Sequence, residues 1–129
     1  MPDLLNADKV RVRFRTSGLV QTLMKGLDDP FIDAVMHVSF SLQAGETFGL
    51  VGESGSGKTT LGRAIIGLVQ AQEGSIKFQG DELIGLKDKQ YKEFRREIAM
   101  MFQDPIASLS PRKTVRYSIT EPFRIHGVT

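Results

Sequence analysis

The chain has 129 residues, 40% of them apolar and 25% charged, with 17 Lys and Arg against 15 Asp and Glu and no cysteine. That length allows one compact domain, while a net charge of only +2, with Lys and Arg spread along the chain, gives no case for a nucleic-acid surface or a polybasic membrane surface. Without cysteine there are no disulfides, thiolate metal sites or cysteine nucleophiles, in keeping with a reducing cytosol.

The apolar stretch AIIGLV at 64–69 falls far short of the roughly 20 residues that span a bilayer. The first fifteen residues, MPDLLNADKVRVRFR, hold no signal-peptide core, so neither a membrane span nor a secretory leader is expected. Alternation in KVRVRFR, 9–15, sets Val10, Val12 and Phe14 on one face of a first strand. Residues 16–34 carry glycines, a proline and an acidic pair without period, and read as a long excursion. VMHVSFSL, 35–42, alternates again, and AGE turns into TFGLV, 47–51, a short apolar run of the kind a strand buried on both faces shows. Beyond Lys58, the spacing of Leu61, Ala64, Ile65 and Leu68 predicts an amphipathic helix. GSIKFQG, 74–80, predicts a strand, and Asp88 is placed to cap a short helix through KQYKEFRRE. IAMMF, 98–102, reads as a second buried strand, followed by the loop QDPIASLSPRK. Thr114 then caps a last helix with Val115, Ile119 and Phe123 on one side and Pro122 inside it as a point of kinking.

GESGSGKT, 52–59, fits the phosphate-loop pattern G-x-x-x-x-G-K-[ST] in the context that pattern requires, after an apolar strand and before a helix. Wrapping backbone N–H groups around phosphates calls for positive φ and close approach, which Gly52, Gly55 and Gly57 supply. The helix N-terminus adds unpaired N–H groups and about half a positive charge. Lys58 is placed to reach the β- and γ-phosphates, and the Thr59 hydroxyl to ligate Mg²⁺ between them. Neither the N-K-x-D nor the D-x-x-G pattern of a guanine-specific GTPase occurs. A RecA-type ATPase wants an acid directly after its apolar strand, where Gln103 stands instead, with Asp104 one step late.

Together GESGSGKTT, MMFQDPIASLSPR and ITEPFRIHG resemble the ATPase subunits of ABC transporters, in particular the oligopeptide and dipeptide importer branch, over about residues 9–127. The resemblance implies an α/β fold: a P-loop NTPase core of parallel sheet with helices, built around TFGLV and IAMMF, plus a small antiparallel β-subdomain. It divides residues 1–129, read as the N-terminal part of one such domain, into 9–51 (subdomain strands and core strand), 52–69 (Walker A loop and helix), 70–102 (strands and short helix) and 103–129 (Q-loop and start of a helical subdomain). Gly52, Glu53, Ser54, Gly55, Ser56, Gly57, Lys58, Thr59 and Thr60 would be the Walker A loop. Phe14 resembles the aromatic that stacks on adenine, the alternative being an ordinary core ring, and Val35 the small apolar residue beside it. Gln103 corresponds to the Q-loop glutamine that contacts magnesium and the attacking water, so that Lys58 and Gln103 carry the chemistry and Thr59 and Gln103 the metal. The implied cofactors are ATP and Mg²⁺. The implied partners are a second ATPase subunit, identical or not, and an integral-membrane permease met through residues 104–114, at the cytoplasmic face of the membrane. Arg112 and Lys113 are either contacts there or a solvated basic pair. His37 and His126 are assigned to packing or surface.

Members of the family continue through an LSGGQ-like signature, a strand ending in a magnesium aspartate and catalytic glutamate, and a switch histidine, none of which occurs in these residues. The resemblance therefore implies a nucleotide binder that is part of a peptide-import ATPase. A stand-alone ATP-sensing module, or the ATPase of a nickel or other small-solute importer, are the alternatives.

Overall fold

The computed structural model describes residues 3–15, 31–104, 106 and 108–128. In chain order the elements are β1 (Leu5–Arg15), β2 (Phe31–Leu42), α1 (Lys58–Ile65), β3 (Glu73–Phe78), β4 (Asp81–Glu82), α2 (Asp88–Phe94) and α3 (Val115–His126). The strands form one antiparallel sheet in the order β2-β1-β3-β4. This is the antiparallel layer expected from the alternating segments, with β3 and β4 added to its edge. Most of residues 16–34, read as an excursion, lies outside the described residues, but Phe31–Ala34 already belong to β2.

β1 begins four residues before the sequence pattern suggests because a bulge hides its alternation. Leu5 and Ala7 face the core, and strict period two would turn Val10 and Val12 outward. Lys9, at φ 47°, supplies one extra residue, so that Ala7 pairs with Phe40 and Val10 with Val38, and all four apolar residues stay buried. His37, at φ 50°, does the same in β2 between Val38 and Val35. A third irregularity follows at once: Val12 pairs with Val35 but Arg13 with Asp33, which leaves Ala34 without an opposite number on β1.

The core lies between the sheet and the first two helices. Leu5, Ala7, Val10, Val12, Val35, Ile76, Phe78 and Leu83 meet Leu61 and Ala64 of α1 and Tyr91 of α2, and Phe94 packs edge-on against Phe78 with ring centroids 6.4 Å apart. The helix α1 stops earlier than the apolar spacing predicts. At Gly67, φ 70°, the chain turns left-handed, Gly67 N–H donates to Ala64 O (3.1 Å) and Leu68 N–H to Arg63 O (2.8 Å), a closure that carries Leu68 out of the stripe. In α2, Asp88 is the first helical residue rather than the cap. The Gln90 side chain accepts from Lys87 N–H (3.0 Å), while Asp88 pairs with Arg95 (2.7 Å). Thr114 does cap α3, its Oγ1 accepting from Tyr117 N–H (3.2 Å), and Pro122 lies inside the helix.

The two runs expected as buried parallel strands are not strands among the described residues. TFGLV and IAMMF take no ladder, and several of their side chains are exposed, Val51 94% and Met101 90%, while Ile98 packs against the core. A strand forms only where a neighbour accepts and donates along its edge, and neither run shares such a ladder with a described segment. In the first run Phe48 stacks on Phe40 with centroids 5.1 Å apart. The predicted face of α3, Val115, Ile119 and Phe123, is likewise exposed.

Candidate functional site

The loop between Val51 and α1 is built as a cradle. Gly57 caps α1 from the left-handed region, φ 91°, with no side-chain cap. A Cβ at that position would run into the carbonyl oxygen of Ala34. Only glycine meets both requirements, so the loop sits directly on the β2 backbone. Gly55 is also left-handed, φ 81°. Gly52 is not, contrary to the expectation that all three glycines supply positive φ. Its role is close approach, since a Cβ there would lie 2.6 Å from Ser56 Oγ and 3.7 Å from Lys58 Nζ.

Lys58 Nζ donates to Gly52 O (2.6 Å), Glu53 O (2.5 Å) and Ser56 Oγ (3.1 Å). Its positive charge is thus held over the mouth of the loop by all three of its donors. The first i→i−4 bond at this end is Leu61 N–H to Gly57 O (2.8 Å), so the N–H groups of Lys58, Thr59 and Thr60 precede the helical ladder and are available to an anion.

A cleft of about 370 Å³ is lined by Ala34, residues 54–60 and Gln103. It brings together the loop, Thr59 and the distant Gln103. Thr59 and Gln103 also border a second cleft with Arg63 and residues 100–104. Val35 faces a recess on the sheet side of the loop, shared with Asp33, Gly52, Gly55 and Leu61. Phe14 lines none of these three; it stands opposite Ile32 with its ring 45% exposed and is not a core residue. Lys113 sits over the Tyr117 ring (4.1 Å to the centroid) and Arg112 is exposed.

Sequence reasoning missed Ala34, the residue on which the loop rests, because a bulge leaves no mark in composition or period. It also missed the ionic network on the outer sheet face. Arg11 Nε and Nη2 donate to the two Asp33 carboxylate oxygens (2.8 and 3.1 Å) and Nη1 to Glu73 Oε1 (2.8 Å). Arg13 Nε approaches Asp33 Oδ1 (3.1 Å), and His37 Nε2 lies 3.3 Å from Glu73 Oε2. Arg11 holds the Asp33 carboxyl below its ordinary 3.8, and His37 and Arg11 hold Glu73 below 4.5. Carboxyls with depressed values bind fewer protons folded than unfolded. Their stabilisation is complete above those ordinary values and fades as pH falls through the lower folded ones. The difference in melting temperature between the chain and its Arg11→Gln variant accordingly narrows as pH is lowered through and below the 3.8–4.5 range. A difference that stays constant down to pH 2 would contradict the assignment.

A glycine-rich loop that opens into a helix N-terminus, with a lysine folded over it, on an α/β scaffold, defines a P-loop nucleotide-binding domain. Comparison with known proteins narrows this class. The ABC transporter family profile matches residues 35–124, and the chain belongs to that family. It is 56% identical over 95 residues to the oligopeptide transport ATP-binding protein OppF of Haemophilus influenzae, covering 74% of this chain and 29% of that protein. It is 53% identical over 97 residues to the glutathione import ATP-binding protein GsiA of Salmonella paratyphi A, covering 75% of this chain and 16% of that protein. Among solved structures, a dimeric ATP-binding cassette in a post-hydrolysis state with ADP and Pi superposes with a TM-score of 0.77 at 23% identity, over 95% of this chain and 47% of its own. The chain therefore spans less than a third of the length of these curated relatives and about half of that cassette.

Proposed function

We propose that this chain supplies the ATP cradle of an ABC importer ATPase that energises peptide uptake through a membrane permease. The observation that carries the proposal is the cleft shared by the loop, Thr59 and Gln103, and the import proteins among its relatives support peptides as the solute class. Residues 52–60 and the first-turn N–H groups bind the phosphate chain. Lys58 would exchange the neutral carbonyls it now holds for the charged oxygens of a terminal phosphate. Thr59 and Gln103 offer neutral oxygens that would hold a Mg²⁺ ion whose charge the phosphates balance, and such an ion would supply charge neutralisation on the phosphate chain. Gln103 orients water, Phe14 stacks on adenine, and Val35 packs beside it.

In this reading the chain works with a second ATPase subunit, identical or not, and meets the permease through residues 104–114 at the cytoplasmic face of the membrane. No helix among the described residues is long and apolar enough to cross it. The test is reconstitution of the complete protein with its permease in vesicles. ATP-dependent accumulation of oligopeptide or dipeptide is the expected result, and uptake lost in Lys58→Ala places the dependence on this loop. Accumulation of nickel alone, or no permease recovered with the protein, would overturn the peptide reading.

A further inference from the structure

Ala34 is the residue that the β1–β2 register skips, and its carbonyl seats Gly57. A bulged residue is freed from the ladder and its backbone is re-aimed, so something else must fix its direction. The flanking residue Asp33 is fixed on both sides. Arg11 grips both of its carboxylate oxygens and Arg13 approaches one of them, all three side chains being only 20–24% exposed. Arg13 is itself held by its backbone N–H, which donates to Gln72 Oε1 (2.6 Å). Asp33 also borders the recess that contains Gly55, Gly57 and Lys58.

We propose that Asp33, clamped by Arg11 and Arg13, is a positioning residue for the phosphate loop: the clamp fixes the Ala34 bulge, and the bulge fixes Gly57 and with it the first turn of α1. The effect on nucleotide affinity rests on the ATP-cradle reading, whereas the effect on loop geometry does not. A bidentate guanidinium–carboxylate pair is suited to this task because it fixes direction as well as distance. The other acid of the network, Glu73, lies on β3, with β1 between it and β2, and takes Arg11 Nη1 and His37 Nε2 rather than Asp33's two donors, so its removal serves as the comparison.

The experiment compares the chain with Asp33→Asn, Asp33→Glu and Glu73→Gln by Mg·ATP titration, backbone amide NMR without nucleotide, and thermal melting. Asp33→Asn, which keeps shape and removes charge, is expected to weaken Mg·ATP binding about tenfold, the scale of one lost charge-assisted hydrogen bond. It should also shift the amide resonances of Ser56, Gly57 and Lys58 while leaving that of Tyr91 in place. Asp33→Glu restores part of the affinity. Glu73→Gln, which removes an exposed acid, changes the melting temperature little, leaves the loop resonances unmoved and keeps binding within about twofold. The clamp is disproved if Asp33→Asn leaves the loop resonances in place, or if Glu73→Gln moves them equally. Should the unsubstituted chain fail to bind Mg·ATP, the ATP-cradle reading falls, and the amide resonances still decide the clamp.

Discussion

Gly57→Ala is expected to reduce Mg·ATP affinity by roughly a hundredfold or more while leaving the antiparallel sheet folded. Two costs combine at this residue. At φ 91° a side chain costs about 1–2 kcal/mol in backbone strain alone. In addition, the new methyl would occupy the place of the Ala34 carbonyl oxygen, so the loop or β2 has to move. Moving either one takes the first-turn N–H groups out of line with the phosphates, which is where the binding is lost. Gly45→Ala separates the two costs: Gly45 is also left-handed, φ 79°, but a Cβ there meets nothing within 4 Å. Equilibrium titration should show Gly45→Ala binding like the unsubstituted chain. Tight binding by Gly57→Ala would mean that the loop is not seated on β2.

Ile76→Ala is expected to cost about 2–5 kcal/mol of stability, a large share of the roughly 5–15 kcal/mol that holds a domain together. Ile76 is fully buried, pairs with Ala7 on β1, and accepts at its carbonyl from Leu83 N–H (2.7 Å), just past β4, so its side chain sits where β1, β3 and the chain after β4 meet. Truncation leaves a cavity that flanking strands, held in register on both sides, close poorly. Val51→Ala removes an apolar side chain that is 94% exposed and should change stability by no more than about 0.5 kcal/mol. Denaturant melts of the two variants check the contrast. Equal destabilisation would place the core elsewhere.

The sequence was most legible where local pattern and local structure answer to the same contacts. GESGSGKT identified the loop because each residue type there is demanded by backbone geometry, and Thr114 was found as a cap because its hydroxyl bonds within its own turn. Legibility failed where the deciding partner is distant. TFGLV and IAMMF have the composition of buried strands, but a strand is defined by the ladder it shares with a neighbour, and among the described residues neither run takes one. The start of β1 and the place of Ala34 were hidden by bulges, which turn a residue without altering the apolar count. The Arg11–Asp33–Glu73 network joins positions 22 and 62 residues apart and leaves no spacing signal. Gly52 shows a subtler limit, since the pattern requires a glycine there while the structure shows that closeness to Ser56, not φ, is the reason.

The most direct test of the nucleotide cradle is calorimetric titration of Mg·ATP into the chain and into Lys58→Ala. The three donors of Lys58 are grouped over the loop with no acidic side chain among their partners, which leaves its charge available to phosphate. Saturable one-site binding by the chain, lost in Lys58→Ala with the melting temperature unchanged, is the predicted result. Binding that survives in Lys58→Ala, or no binding by the unsubstituted chain, would contradict it.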